Sequence, residues 1–235
     1  MTADVLTLLL SGVPLLLGLL GLLLRNDARR PAAALGIAGA AVALAVTVAL
    51  LALVDDPVRV TAEWVAFGGY QVTLGYSLGP AALYVALAVT VVALCVQVYS
   101  VAYLHDDKRY APYAAQVSLF TGAMLLVVSA NDLILLLIGW EVMGACSYLL
   151  IGHDRRLPEA PAAAVKAFVV TRVGDVGFLL GIAWLGVAAQ SFEIDKITGA
   201  PTVALLLILA GVAGKSAQFP LHTWLPDAMA GPTPI

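Results

Sequence analysis

Five ionisable side chains stand inside otherwise apolar stretches of this sequence: Glu141, Lys166, Arg172, Asp175 and Lys215. A charge near the centre of a membrane helix costs about 2.5–3.5 kcal/mol on insertion scales, so such residues mark pairing or ion and proton movement. Glu141 lies eight residues past Leu133, where its apolar run begins. At a rise of ~1.5 Å per residue that is about 12 Å, close to mid-depth. Asp175 and Lys215 are similarly deep in their runs, whereas Lys166 is only four residues past Ala162. Lys166 therefore suits snorkelling to the interface as well as a part in transfer. Arg172 and Asp175, three apart on one helix face, can neutralise each other. Glu141 and Lys215 have no oppositely charged neighbour at helical spacing. They must pair across helices or stay neutral, because an isolated buried charge costs too much.

The chemistry that such an acid and base support is proton movement. A lysine in a dry interior keeps its proton while a carboxylate is near and becomes a better acid when that carboxylate withdraws. On this reading Glu141 and Lys215 form one coupled proton-carrying pair. Arg172 and Asp175 modulate it, so exchanging those two charges should preserve most activity. Thr121, Thr171 and Ser216 offer hydroxyls to bridging water. His222 is placed at proton entry, while His105 and His153 fall in charged loops and read as solvated. There is no HExxH, P-loop, cysteine array, paired histidine or GxGxxG after a strand, so no metal, haem, iron–sulfur or nucleotide site is expected.

Lys215 closes a nearly pure aliphatic run from Thr202, and Pro220, Pro226, Pro232 and Pro234 follow it. Proline removes a backbone donor and clashes with the preceding turn. In lipid such a break is tolerated only where protein or a wet cavity satisfies the freed carbonyls. A lysine just before a break is an ion-pathway signature.

The elements that position these groups are membrane helices. Of the 235 residues, 62% are hydrophobic and 11% charged. No soluble domain of that length sustains such a composition, and the class is an all-α polytopic bundle. A net charge of −3 without a basic tract gives no sign of nucleic acid. Met1–Leu24 reads as a first spanning helix and not as a signal peptide: it carries Asp4 where a cation belongs, and Arg25, Arg29 and Arg30 follow it as a stop. Hydropathy predicts spans at Val5–Leu24, Ala32–Val54, Leu78–Leu104, Pro112–Ser129, Leu133–Ile151, Ala162–Ala188 and, broken, Thr202–Phe219. The residues after Trp224 approach an eighth. Val58–Ser77, alternating and punctuated by Gly68, Gly69 and Gly75, reads as a hairpin at the membrane surface. The chain thus divides into 1–57 (two helices), 58–77 (an extracytoplasmic hairpin) and 78–235 (helices three to seven and the start of an eighth).

Alternate loops carry Arg25, Arg29, Arg30, Lys108, Arg109, Arg155 and Arg156, against Arg59 and Lys196 in the opposite set. That asymmetry predicts an N-terminus outside and the arginine-bearing loops in the cytoplasm. Cys95 and Cys146 fall in apolar runs and read as buried structural thiols. Gly139, Gly144 and Ala145 beside Glu141, and Gly174, Gly177 and Gly181 around Asp175, should let helices approach closely at the charges.

Three stretches, LLLIGWEVMGACSYLLIG (Leu135–Gly152), KAFVVTRVGDVGFLLGI (Lys166–Ile182) and GKSAQFPLHTWLPDAMAGPTPI (Gly214–Ile235), closely resemble the antiporter-like membrane subunit of respiratory complex I. That is the subunit L, or mitochondrial subunit 5, family of NADH–quinone oxidoreductase. The resemblance covers most of the chain from Leu78 onward. It implies an antiporter fold of two inverted repeats, each with a discontinuous helix, of which this chain is the N-terminal part. It places Glu141 at the family's fifth-helix glutamate, Lys215 at its seventh-helix lysine, and Arg172 and Asp175 at charged sixth-helix positions. It implies proton translocation in a bacterial inner membrane, beside other antiporter-like membrane subunits, with protons as the only small substrate. NADH, flavin, iron–sulfur clusters and quinone then belong to partner subunits, and this chain binds no cofactor. The sequence departs from the family in length, being two to three times shorter, and at Gly79-Pro80-Ala81, where an acidic residue is expected. Two other readings remain open: the large subunit of a multisubunit sodium/proton antiporter, which shares KSAQFP…WLPDAM, and a non-pumping structural protein. GACSYLLIG and KAFVVTRVGD favour complex I.

Overall fold

The structure, a computed structural model, describes residues 3–53, 56–67 and 70–232. The elements run α1 (Ala3–Leu22), α2 (Arg29–Leu53), β1 (Val58–Phe67), β2 (Tyr70–Leu78), α3 (Pro80–Tyr103), α4 (Tyr110–Ser129), α5 (Leu133–Ile151), α6 (Ala160–Ala189) and α7 (Thr202–Lys215). Helices α1 to α6 are each long and apolar enough to cross a membrane, and α7 is shorter. Prolines open α3 and α6, where the missing N–H has no helical partner to lose. Strands β1 and β2 pair with each other, and Gly68 and Gly69, expected at their turn, lie outside the described residues.

The chain divides into two compact units, Met1–Val60 with Tyr76–Ala130, and Thr61–Gly75 with Asn131–Ile235. In the first, α1, α2 and α3 all pack on α4. The buried Gln97 carboxamide of α3 donates to the Ala114 carbonyl and to Ser118 Oγ of α4, both at 3.0 Å. Its other side lies against Gly36 of α2, where a Cβ would stand 2.6 Å from Oε1. Arg29, expected as a mere loop charge, begins α2. Its guanidinium donates to the Leu104 and Val101 carbonyls at 2.6 and 2.5 Å and stacks over the Tyr110 ring at 4.3 Å. It thereby satisfies orphan carbonyls at the end of α3, where the helix dipole favours a cation. Cys95 is a correction: it is exposed on the outside of α3, while Cys146 is buried. An apolar run does not say which helix face turns inward.

In the second unit α6 packs against both α5 and α7. Along the α6–α7 contact, a Cβ on Gly174, Gly177 or Gly181 would stand 2.7, 2.9 or 2.7 Å from the carbonyl oxygens of Ala210, Leu207 and Ala204. No side chain fits there, and the helices touch backbone to backbone. The expected seventh span ends early, at Lys215 rather than Phe219. Ala217 adopts a left-handed φ of 51°, and the Phe219–Pro220 peptide is cis. A short 3-10 turn, Asp227–Ala230, follows.

At the start of α5, three chain segments are tied by backbone bonds: Asn131 N–H to the Gly75 carbonyl at 2.7 Å, Ile194 N–H to the Asn131 carbonyl at 2.9 Å, and Leu133 N–H to the Phe192 carbonyl at 2.9 Å. Asp132, fully buried, caps α5 by accepting from the N–H groups of Ile134 and Leu135, and Thr73 donates to its second oxygen at 3.3 Å. Burial pushes its carboxyl above the ordinary carboxylate range, partly offset by those hydrogen bonds. Between the ordinary and the raised value the folded chain binds the extra proton. The contribution of Asp132 to stability is therefore greatest at low pH and falls as pH rises through the raised value. Asp132→Asn keeps a capping oxygen but cannot ionise. In thermal melts of purified protein it should gain on the parent as the pH is raised from roughly pH 4 toward neutrality. A gap that stays constant across that range would show that the carboxyl does not titrate there.

Candidate functional site

The deep charges converge where α5, α6 and α7 meet. Arg172 reaches from α6 and donates through Nη1 to Glu141 Oε2 on α5, and the same nitrogen lies 3.4 Å from Asp175 Oδ2, one turn along α6. Asp175, 4% exposed, accepts the Trp140 indole N–H on Oδ1 at 2.6 Å, while its Oδ2 accepts no hydrogen bond among the described residues. The Trp140 ring stacks on Phe178 at 4.5 Å between centroids. Lys215 Nζ sits 5.6 Å from the Trp140 centroid, within cation–π range.

Gly144 makes the arrangement possible. A Cβ there would be 3.1 Å from Lys215 Nζ and closer still to Arg172 Nη2, so any larger residue would displace both cations. Two carboxylates and two cations balance, which is how a low-dielectric interior tolerates four charges.

Lys215 is the last residue of α7, where the helix dipole favours a cation. The carbonyls freed by the break find partners. Gln218 N–H donates to the Ala213 carbonyl at 2.8 Å, and the Trp224 indole N–H donates to the Gly214 carbonyl at 3.0 Å.

Glu141, Arg172, Asp175 and Lys215 are thus brought together, with one change of partner. Spacing left Glu141 to meet Lys215 directly; instead Arg172 takes the Glu141 carboxylate, because α6 packs against both neighbouring helices and its guanidinium reaches α5. Lys166 points elsewhere and pairs with Asp227 at 2.6 Å. His222 is exposed, its ring 5.8 Å from that of Phe219, and it makes no ion pair with the four. Of the hydroxyls, Thr171 and Ser216 bond carbonyls of their own helices, Phe168 and Val212. Thr121 does the same with Val117. His153 is a correction: read as solvated, it is 3% exposed between the ends of α5 and α6. His105 is exposed and beside Asp106 at 2.8 Å. Trp140 escaped the sequence reading although it adjoins Glu141; an indole N–H in an apolar span needs an acceptor, and that was the signal. Asp227 escaped because its partner lies 61 residues away. Among the described residues, no group of three or more His, Cys, Asp or Glu could hold a metal ion.

Residues 130–235 match a family profile described as NADH:quinone oxidoreductase/Mrp antiporter, TM, and residues 64–114 match one described as NADH-ubiquinone oxidoreductase (complex I), chain 5 N-terminus. The chain belongs to this complex I and Mrp antiporter-like subunit family. Every residue of the cluster lies within the first matched stretch.

Among relatives of this antiporter-like subunit is NADH-quinone oxidoreductase subunit L of Neisseria meningitidis, 41% identical over 193 residues, covering 73% of this chain and 29% of the relative. Another is NAD(P)H-quinone oxidoreductase subunit 5 of Paulinella chromatophora, 38% identical over 229 residues, with 89% of this chain and 34% of the relative covered. The chain spans about a third of the length of these relatives. Among solved structures, the Mrp complex from Dietzia sp. superposes with a TM-score of 0.79 at 27% identity, over 98% of this chain and 25% of that one. The membrane-bound sulfane sulfur reductase, an archaeal respiratory membrane complex, gives 0.76 at 25% identity, over 94% and 36%. With six helices among the described residues long and apolar enough to cross a membrane, the antiporter-like subunit is a multi-pass membrane protein.

Proposed function

We propose that this chain is a proton-translocating part of a membrane subunit of NADH–quinone oxidoreductase, and that protons pass through the α5–α6–α7 cluster. The observation that carries the reading is Arg172 shared between Glu141 and Asp175, with Lys215 over the Trp140 ring whose indole N–H holds Asp175. While Arg172 rests on Glu141, Asp175 remains charged and Lys215 keeps its proton. When a proton neutralises Glu141, the guanidinium shifts its weight to Asp175, already 3.4 Å away. Lys215 then loses its counter-charge and releases its proton onward. The cluster itself supplies only charge and proton sites. Redox chemistry with NADH, flavin, iron–sulfur clusters and quinone is assigned to partner subunits, and the neighbours of this chain to other antiporter-like membrane subunits. The excess of arginine in alternate loops supports an N-terminus outside, in what we read as a bacterial cell membrane.

The likeness to the Mrp complex supports a second reading, the large subunit of a sodium/proton antiporter. Relatives near 40% identity are named quinone oxidoreductase subunits, which favours the first. Inverted vesicles holding the intact complex separate the two. NADH-driven acidification of the lumen, stopped by a quinone-site inhibitor, is expected. Acidification driven by a sodium gradient and indifferent to NADH would assign the antiporter class instead, and neither would leave a structural role.

A further inference from the structure

We propose that Lys166 and Asp227 form a latch that holds the segment after the α7 break against α6 and so positions Lys215, rather than a step in the proton path. This rests on the proton-carrier reading of the cluster. Past Lys215 the chain runs through isolated turns, and the next helical element is the 3-10 turn Asp227–Ala230. The intervening chain turns through the left-handed Ala217 and the cis Phe219–Pro220 peptide. Backbone without a repeating hydrogen-bond ladder takes its position from side-chain ties.

Two such ties reach outward from this segment. The Trp224 indole holds the Gly214 carbonyl, one residue before Lys215, at 3.0 Å. Asp227, which opens the 3-10 turn, accepts from Lys166 Nζ at 2.6 Å across 61 residues of chain. Between and beyond them an apolar seam closes: Trp224, Ala228 and Ala230 pack on Ile151, Ala163, Ala164 and Ala167. Gly231 approaches so closely that a Cβ on it would stand 3.2 Å from Ile151 Cα. The ion pair lies at the edge of this seam, its side chains 43% and 45% exposed, where pairing also neutralises a lysine two turns into α6.

Lys166 is six residues before Arg172, or about 9 Å along the helix axis, and makes no ion pair with the cluster. A proton carrier would have to face the next carrier, whereas a latch only has to face its partner. Lys166 does the second. Opening the latch would free the far end of the segment that fixes the last turn of α7, and with it the Lys215 amine.

The test uses the full-length subunit in its intact complex, with Lys166→Cys and Asp227→Cys bridged by a short, reducible bis-methanethiosulfonate linker that stands in for the long lysine side chain. Unbridged, the double variant should pump about tenfold to a hundredfold more slowly, since a misplacement of reacting groups by about 1 Å can cost about a hundredfold. Bridging should restore pumping, and reducing the linker should abolish the restoration. Because the bridged protein has no titratable group at either position, the recovery cannot come from proton transfer by Lys166. Bridging without recovery would make Lys166 a member of the relay and overturn the latch. Unbridged protein that pumps normally would make the pair an idle surface contact, and failure to bridge would show the segments are not adjacent. Lys215→Ala, run in parallel, separates the two ideas: if that variant pumps normally the proton-carrier reading fails, while the bridging result still decides whether the segment is held.

Discussion

Lys215→Ala in the intact complex should slow proton transfer through this subunit by about 100-fold or more, the size of contribution a positioned acid or base makes. Oxidation of NADH by an artificial acceptor should continue. Alanine removes the amine that lies over the Trp140 ring. Lys215→Arg is the sharper variant. It keeps the positive charge at the end of α7 and, with it, the balance against Glu141 and Asp175. Arginine, however, does not give up its proton in proteins. If the amine acts by releasing a proton, both variants should fail alike, read as protons translocated per NADH oxidised in vesicles. Normal pumping by Lys215→Arg would mean that only a fixed charge is needed and would end the relay.

Arg172→Met should be the most damaging change to the fold of the second unit. It strips Glu141 and Asp175 of their shared cation. Removing one partner of a buried ion pair costs about 3–5 kcal/mol. Most of that falls on Asp175, sealed inside this chain at 4% exposure, whereas the Glu141 side chain is 44% exposed and open to a neutralising proton or a cation from outside the chain. Adding Asp175→Asn to Arg172→Met should therefore recover more stability than adding Glu141→Gln, measured as melting temperature of the purified protein. Equal recovery by the two would contradict this division. The structure also reverses what helical spacing alone suggests for exchanging Arg172 and Asp175. A carboxylate at 172 would face Glu141, and a guanidinium at 175 would sit on the Trp140 indole N–H, so the exchange should lose both stability and pumping.

The contrast between those two expectations shows how far one-dimensional reading reaches. The apolar runs located the spanning helices, and α5 begins at the expected Leu133 because Asp132 caps it there. The five misplaced charges were visible because a hydrocarbon interior makes every charge conspicuous. The glycines around them were visible as a packing face, and that face now lies against α7.

What tertiary structure decided was who meets whom. Hydropathy carries depth but not rotation, so it could not tell that His153 turns inward or that Cys95 turns out. Nor could it tell that Arg172 intercepts Glu141 or that Lys166 finds Asp227. Amino-acid types alone determined that this chain crosses a membrane and carries acids and bases within its apolar helices, because burial in an apolar medium penalises a residue by its kind. Partner choice waited for the fold. It depends on the angle at which each helix presents its faces, and in this unit that angle follows from backbone contact between α6 and α7 at Gly174, Gly177 and Gly181.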